Sequence, residues 1–170
     1  MKKLKNIFTN QKTTDILFLF TCIVYALVLC RGLLFKYVNP FELFSPDRYE
    51  YIGYNFIPFN GSGMSYRIDL IINSLLFVPF GFLLSMKSAK ILKGTLLMFV
   101  PIGASIIFES LQYFLRLGAA DITDIIMNTI GSCSGFTFYM ISYKSFGTKP
   151  DKIYTFLMSI VAVIALILLY

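Results

Sequence analysis

SIIFESLQYFLRLGAADITDIIMNTIGSCSG, residues 105–135, decides the fold of this chain. Ser105, Glu109, Gln112 and Arg116 are spaced four, three and four apart, and Asp121, Asp124, Asn128, Gly131 and Gly135 follow at three, four, three and four. Steps of three and four return to one face of an α-helix, so the stretch predicts two helices, each with one polar stripe on an apolar surface. The connection is about five residues, Leu117 to Asp121. That length predicts an antiparallel hairpin with facing stripes, bringing Arg116, Asp121 and Asp124 into one layer at the turn. Glu109 is the deepest ionisable group in this arrangement. A charge at a bilayer centre costs about 2.5–3.5 kcal/mol on insertion scales, so a partner is expected for it: Arg116, Gln112 or a polar group on the preceding span.

Outward from the hairpin the chain is apolar over lengths that suit a bilayer. Segments at about 16–35, 70–86, 96–115, 122–143 and 153–170 are each near the length a tilted transmembrane helix needs. With 57% hydrophobic, 17% aromatic and 14% charged residues, the chain carries more apolar surface than a soluble domain of 170 residues buries. The expected fold is all-α: a single polytopic transmembrane helix bundle over residues 1–170, of about five spans, with one long outer loop at about 36–68. Lys2, Lys3, Lys5 and Lys12, then Lys87, Lys90 and Lys93, then Lys144, Lys149 and Lys152 occupy alternate flanks, against Asp15 and Asp151 alone. The opposite flanks hold Arg31, Lys36, Arg48, Arg67 and Arg116 against Glu42, Asp47, Glu50, Asp69, Glu109, Asp121 and Asp124. The positive-inside rule therefore sets the N-terminus in the cytoplasm and the C-terminus outside. It also accounts for the net charge of +6 without a nucleic-acid partner, and the lysines suit anionic lipid headgroups.

The opening MKKLKNIFTNQK and its apolar run read as a retained signal anchor, because the run continues to about Phe35 without an A-x-A cleavage site. Histidine is absent, which leaves chemistry to carboxylates, Lys, Tyr, Ser or Cys. Cys22, Cys30 and Cys133 lie in apolar stretches without ligand spacing and are expected to be small buried hydrophobes. No metal motif and no cofactor is expected.

The outer loop holds Pro40, Pro46 and Pro58 among Tyr37, Phe41, Phe44, Tyr49, Tyr51, Tyr54, Phe56 and Phe59. Such a loop is expected in the membrane interface, either as an ordinary aromatic belt or as a lid over a headgroup. The second span adds Asp69 and Asn73 near its outer end, with Pro79 and Gly81 deeper, where a kink or close helix contact is expected. Gly131-Ser-Cys-Ser-Gly135 reads as a small-residue packing seam.

Three strings also stand in a familiar order: Asn55-Phe-Ile-Pro58-Phe59, Asn73-Ser-Leu-Leu-Phe-Val-Pro79-Phe80-Gly81, and the polar register Glu109, Gln112, Arg116, Asp121, Asp124, Asn128, Gly131. Over roughly residues 55–131 the chain resembles the VanZ-like membrane proteins, and the polar register is the specific part. The resemblance implies a multi-pass protein of the bacterial cytoplasmic membrane, in a family whose named member is associated with glycopeptide resistance, teicoplanin above all. It implies a functional cluster at Asn73, Glu109, Gln112, Arg116, Asp121, Asp124 and Asn128, supported by Asn55, Pro58, Arg67, Asp69, Pro79, Gly81 and Gly131. The leading expectation is an outer-leaflet site that binds or modifies an envelope lipid, a lipid-linked envelope precursor or a lipoglycopeptide. Two alternatives stay open: an intramembrane enzyme using Glu109 and Asp124 as acid and base, and a lipid or small-molecule transporter. A binding role is expected over an enzymatic one, since no nucleophile elbow or Cys–base pair is present, and the apolar cytoplasmic halves of the helices offer a transporter no continuous polar route.

Overall fold

The computed structural model describes residues 11–45, 50–88, 94–146 and 151–169. The basic residues Lys2, Lys3, Lys5, Lys90, Lys93 and Lys149, and Pro46, Asp47, Arg48 and Tyr49 of the loop, lie outside the described residues. The chain divides into two compact units, Met1–Cys30 with Ser142–Tyr170, and Arg31–Ile141.

In the first unit, helix α1 (Gln11–Leu29) packs on the C-terminal helix, which is α5 in chain order (Asp151–Leu169). The buried face of α5 is Thr155, Ser159 and Ala162, a stripe of small side chains at helical spacing. Against it α1 buries Thr21, Val24, Tyr25, Val28 and Leu29. Small residues let the two backbones approach, and the hydroxyls of Thr21 and Thr155 are satisfied by the carbonyls of Leu17 and Asp151 one turn back.

A π-helical turn, Cys30–Leu34, leads into the second unit and is followed by a short 3₁₀ turn, Pro40–Glu42, capped by the Asn39 carboxamide. Strand β1 (Tyr51–Asn55) precedes helix α2 (Gly63–Ser88), which continues through Pro79. Helix α3 (Gly94–Phe114), strand β2 (Leu117–Asp121) and helix α4 (Ile122–Phe146) follow, α4 running on past the unit's end at Ile141. The five apolar segments thus become five helices. Among the described residues, Gln11–Leu34, Gly63–Lys87 and Asp151–Leu169 are long and apolar enough to cross a membrane, and Met98–Phe114 is a shorter apolar stretch. In α4, Asp124, Asn128 and a run of Thr, Gly, Ser and Cys lower the hydropathy.

One element departs from an all-α chain. β1 and β2 pair in parallel, from Tyr51 opposite Leu117 to Asn55 opposite Asp121. The residues expected to form a bare hairpin turn are therefore a strand, and the expected outer loop supplies its partner, while its last residues already belong to α2. A parallel pair needs a crossover, here the α2–α3 hairpin. β2 enters α4 directly, and β1 leads to α2 through residues 56–62. The two helices run in the same direction and touch backbone to backbone. A Cβ on Gly131 would overlap the Ser74 carbonyl, one on Gly135 the Val78 carbonyl, and one on Gly81 the Ser132 carbonyl. The glycine seam thus joins α4 to α2. Phe77, Phe82, Leu117 and Tyr139 fill the core beside it, with the Phe82 and Tyr139 rings edge to face at 5.4 Å.

Candidate functional site

The site is built on the end of the β ladder. Asp121 is the last residue of β2 and stands immediately before α4, where the first backbone N–H groups lack helical acceptors. Its Oδ1 accepts from the Thr123 N–H at 2.7 Å, capping the helix. Its Oδ2 accepts from Asn55 Nδ2 at 3.1 Å, across the register pair that ends the ladder. Its own N–H donates to Glu109 Oε2 at 2.9 Å. One residue therefore ties β1, β2, α3 and α4 together. The loop closes over the same point: Asn55 Oδ1 accepts from the Ile57 N–H at 3.1 Å, and the Phe59 N–H donates to Thr123 Oγ1 at 3.0 Å.

Beneath this knot lie the groups that the helical stripes predict. Glu109 and Asn73 are buried, and Asn73 hydrogen-bonds the Asp124 carboxylate from α2. Asp121 and Asp124 are within electrostatic reach of Glu109, and Asp69 within that of Asp124. One turn deeper, Asn128 Nδ2 donates to Ser105 Oγ at 2.8 Å, both residues being fully buried. Gln112 is buried as well. Its Nε2 donates at 3.0 Å to the Leu33 carbonyl in the π-helical turn, one of the acceptors a helix end leaves over. Gln112 Oε1 and Asn128 Oδ1 have no hydrogen-bond partner among the described residues.

Arg116 does not join the buried carboxylates. The carbonyls of Leu111 and Tyr113 near the end of α3 accept from the Leu115 and Arg116 N–H groups, and Arg116 turns left-handed at φ 55° to lead the chain into β2. Its guanidinium pairs with Glu50 at 2.7 Å, both side chains about half exposed. Glu50 and Arg116 directly precede the first register pair, so the ion pair extends the ladder by one step. The hydrogen bond and charge of Glu50 hold the guanidinium pKa above its ordinary value. Of the partners expected for Glu109, Arg116 pairs instead with Glu50 and the Gln112 amide donates to Leu33, and the Glu109 carboxylate accepts from the Asp121 N–H.

Among the described residues, the cation that does reach the cluster is Lys36, within electrostatic range of both Glu109 and Asp124. Its ammonium pairs with Asp69 at 2.8 Å, and the Tyr37 hydroxyl donates to the same carboxylate at 3.4 Å. Burial works against the charged ammonium, but Asp69 and Tyr37 more than offset it, and the Lys36 pKa stands above its ordinary value. Lys36 was absent from the expected site, as were Thr123 and Glu50. One signal for it was available, since Lys36 is the single lysine in flanks otherwise basic through arginine.

Of the supporting residues, Asn55 and Asp69 join the site, Pro58 and Arg67 are exposed near it in sequence, and Pro79 lies within α2. Gly81 and Gly131 serve the α2–α4 seam. Among the described residues no group of three or more acidic or thiol side chains is arranged to hold a metal ion. Buried carboxylates and amides with one ammonium can accept and donate hydrogen bonds to hydroxyl, amide or ammonium groups. A phosphate or carboxylate would have to draw Arg116 away from Glu50.

A family model described as VanZ/LLP1 matches residues 20–143 of the chain. Protein VanZ of Enterococcus faecium is 32% identical over 151 residues, which is 82% of this chain and 92% of that protein. No solved structure matches.

Proposed function

This chain belongs to the VanZ/LLP1 family, and from that premise we propose that it is a multi-pass protein of the bacterial cytoplasmic membrane that contributes to glycopeptide resistance. It acts by holding the polar head of an envelope lipid or of a lipid-anchored ligand at the outer leaflet. The observation that carries this reading is the cluster of buried Asn73 and Glu109 with half-buried Asp121 and Asp124, tied by Asp121 to the ladder that closes over it. Buried ionisable groups in a membrane bundle are expensive, and a binding role accounts for their retention.

Five spans, with the N-terminus inside and the C-terminus outside, follow from the alternation of lysine flanks. The ladder supports a site at one membrane surface. A two-stranded sheet has open edges, which hydrocarbon does not tolerate, so β1 and β2 belong in the headgroup layer. The cluster beneath them then lies just under the outer surface. Phe41 and Phe44, 91% and 93% exposed, are suited to the interface beside it. Teicoplanin carries an acyl chain that anchors it at a membrane, and a site at this depth would lower its access to lipid-linked cell-wall precursors.

A second reading has one observation in its favour: Glu109 and Asp124 are both close and largely enclosed, as an acid/base pair acting on a lipid-linked substrate would be. The deciding experiment is teicoplanin susceptibility, with vancomycin as the less membrane-anchored control, in cells expressing wild type or Glu109→Gln at equal membrane levels. Selective protection lost in the variant is the expected result. No protection by the wild type overturns the resistance reading, and turnover of a labelled lipid by purified protein selects the enzyme.

A further inference from the structure

The polar stripe of α4 leads down to a cavity of about 350 Å³ inside the unit Arg31–Ile141. Leu84 of α2, Met98 and Pro101 of α3, and Cys133 and Phe136 of α4 form its apolar walls. Three hydroxyl side chains also line it. Ser85 donates to the Gly81 carbonyl at 2.5 Å and Thr137 to the Cys133 carbonyl at 2.8 Å, so both hydroxyls are satisfied within their own helices. Ser132 Oγ is different: its residue is 1% exposed, and the oxygen has no hydrogen-bond partner among the described residues. Ser132 lies one turn below Asn128, at the end of the cavity nearest the carboxylates. The space is therefore apolar, with the enclosed Ser132 hydroxyl at its upper end.

Its volume falls in the range of small-ligand sites, roughly 300–1,000 Å³. The glycine contacts of α4 with α2 hold the walls in place, because these backbones already touch and cannot close further. Met98 and Thr137 are exposed, so the cavity opens at its side. In a bilayer the solvent at such an opening is hydrocarbon.

We propose that this cavity holds one acyl chain of a membrane amphiphile whose head engages the Glu109–Asp124 cluster. Asp124 and Cys133 are nine residues apart on one helix, or roughly 14 Å at the rise of an α-helix, a span that a long lipid bridges. The place of the head rests on the function proposed above; the place of the chain rests on the cavity alone.

The test uses the full chain in nanodiscs of phosphatidylglycerol, doped with phosphatidylglycerol that carries a diazirine at the end of one acyl chain. After photolysis, adducts are located by mass spectrometry. In the wild type they are expected on Met98, Cys133 or Phe136 as well as on the outward-facing Ile107 and Ile141. Filling the cavity from either side, with Cys133→Phe or Met98→Phe, is expected to abolish adducts on the remaining wall residues and leave those on Ile107 and Ile141 unchanged. Wild-type adducts confined to the outward residues, or wall adducts that persist in both filled variants, overturn the proposal. Glu109→Gln separates its two halves. Lost wall labelling ties chain to cluster, whereas retained labelling leaves the acyl cavity standing and overturns the place of the head.

Discussion

Replacing Asp121 with alanine should loosen the fold more than it disturbs the buried carboxylates. The substitution removes the acceptor for the Thr123 N–H and the acceptor for the Asn55 amide, at 2.7 and 3.1 Å. Losing an N-cap acceptor costs about 1 kcal/mol, and losing a hydrogen bond to a charged group about 1.5–3 kcal/mol. Asp121 is half-buried, which favours the lower end, so a total of roughly 2–3 kcal/mol is expected. The backbone N–H that holds Glu109 survives the change. Asp121→Asn keeps the cap, since Asn and Asp cap about equally well, but sets an amide NH2 where Oδ2 accepted from Asn55, and so should still lose the larger, cross-ladder part. Equilibrium unfolding in mixed micelles of increasing dodecyl sulfate content, followed by helical circular dichroism, measures these differences. Asn55→Ala alone and with Asp121→Ala completes a double-mutant cycle. Additivity of the two substitutions to within about 0.5 kcal/mol would refute the claim that this pair locks the ladder to α4.

Glu109→Gln should lose function at near-normal folded yield, because its amide oxygen can still accept from the Asp121 N–H; immunoblotting of membranes beside the susceptibility assay checks both. Gly135→Leu, and equally Gly131→Leu, should lower the folded yield sharply in size-exclusion profiles by forcing a side chain into the α2 backbone, whereas Gly103→Ala, which meets nothing within 4 Å, should be neutral or stabilising. Arg116→Ala should leave insertion and folded yield near wild type, since its pair with Glu50 is solvent-exposed. Lys36→Met should destabilise at neutral pH. Asp69 and Tyr37 raise the Lys36 pKa, so the contribution of this pair is complete below the ordinary lysine range and is lost as pH rises through the folded-state value. Unfolding curves of wild type and Lys36→Met should therefore converge in strong alkali.

Helices and their polar faces were legible because they repeat locally. Glu109 and Gln112, and Asp124 and Asn128, recur at three or four residues, and that spacing alone puts each pair on one face of its own helix. The glycine seam was legible as a seam but not by its partner: Gly131 and Gly135 meet Ser74 and Val78 of α2, a pairing that no local period encodes. Arg116 shows the limit most clearly. It shares the stripe of Glu109 by count, yet the helix ends just before it, and one left-handed residue turns its side chain to Glu50, 66 positions away.

The sequence by itself determined five helices, the charge asymmetry of their flanks and the family, because hydropathy, lysine placement and a register of polar residues are properties of consecutive residues. Only the tertiary structure decided that Tyr51–Asn55 and Leu117–Asp121 pair in parallel, that Asp121 joins four elements, and that Lys36 is the cation at the cluster. Strands this short, and in β2 rich in Gly and Ala, carry almost no pattern of their own. They form where α2 and α4, seated backbone to backbone, bring their leading segments side by side, and that proximity exists only once the chain has folded.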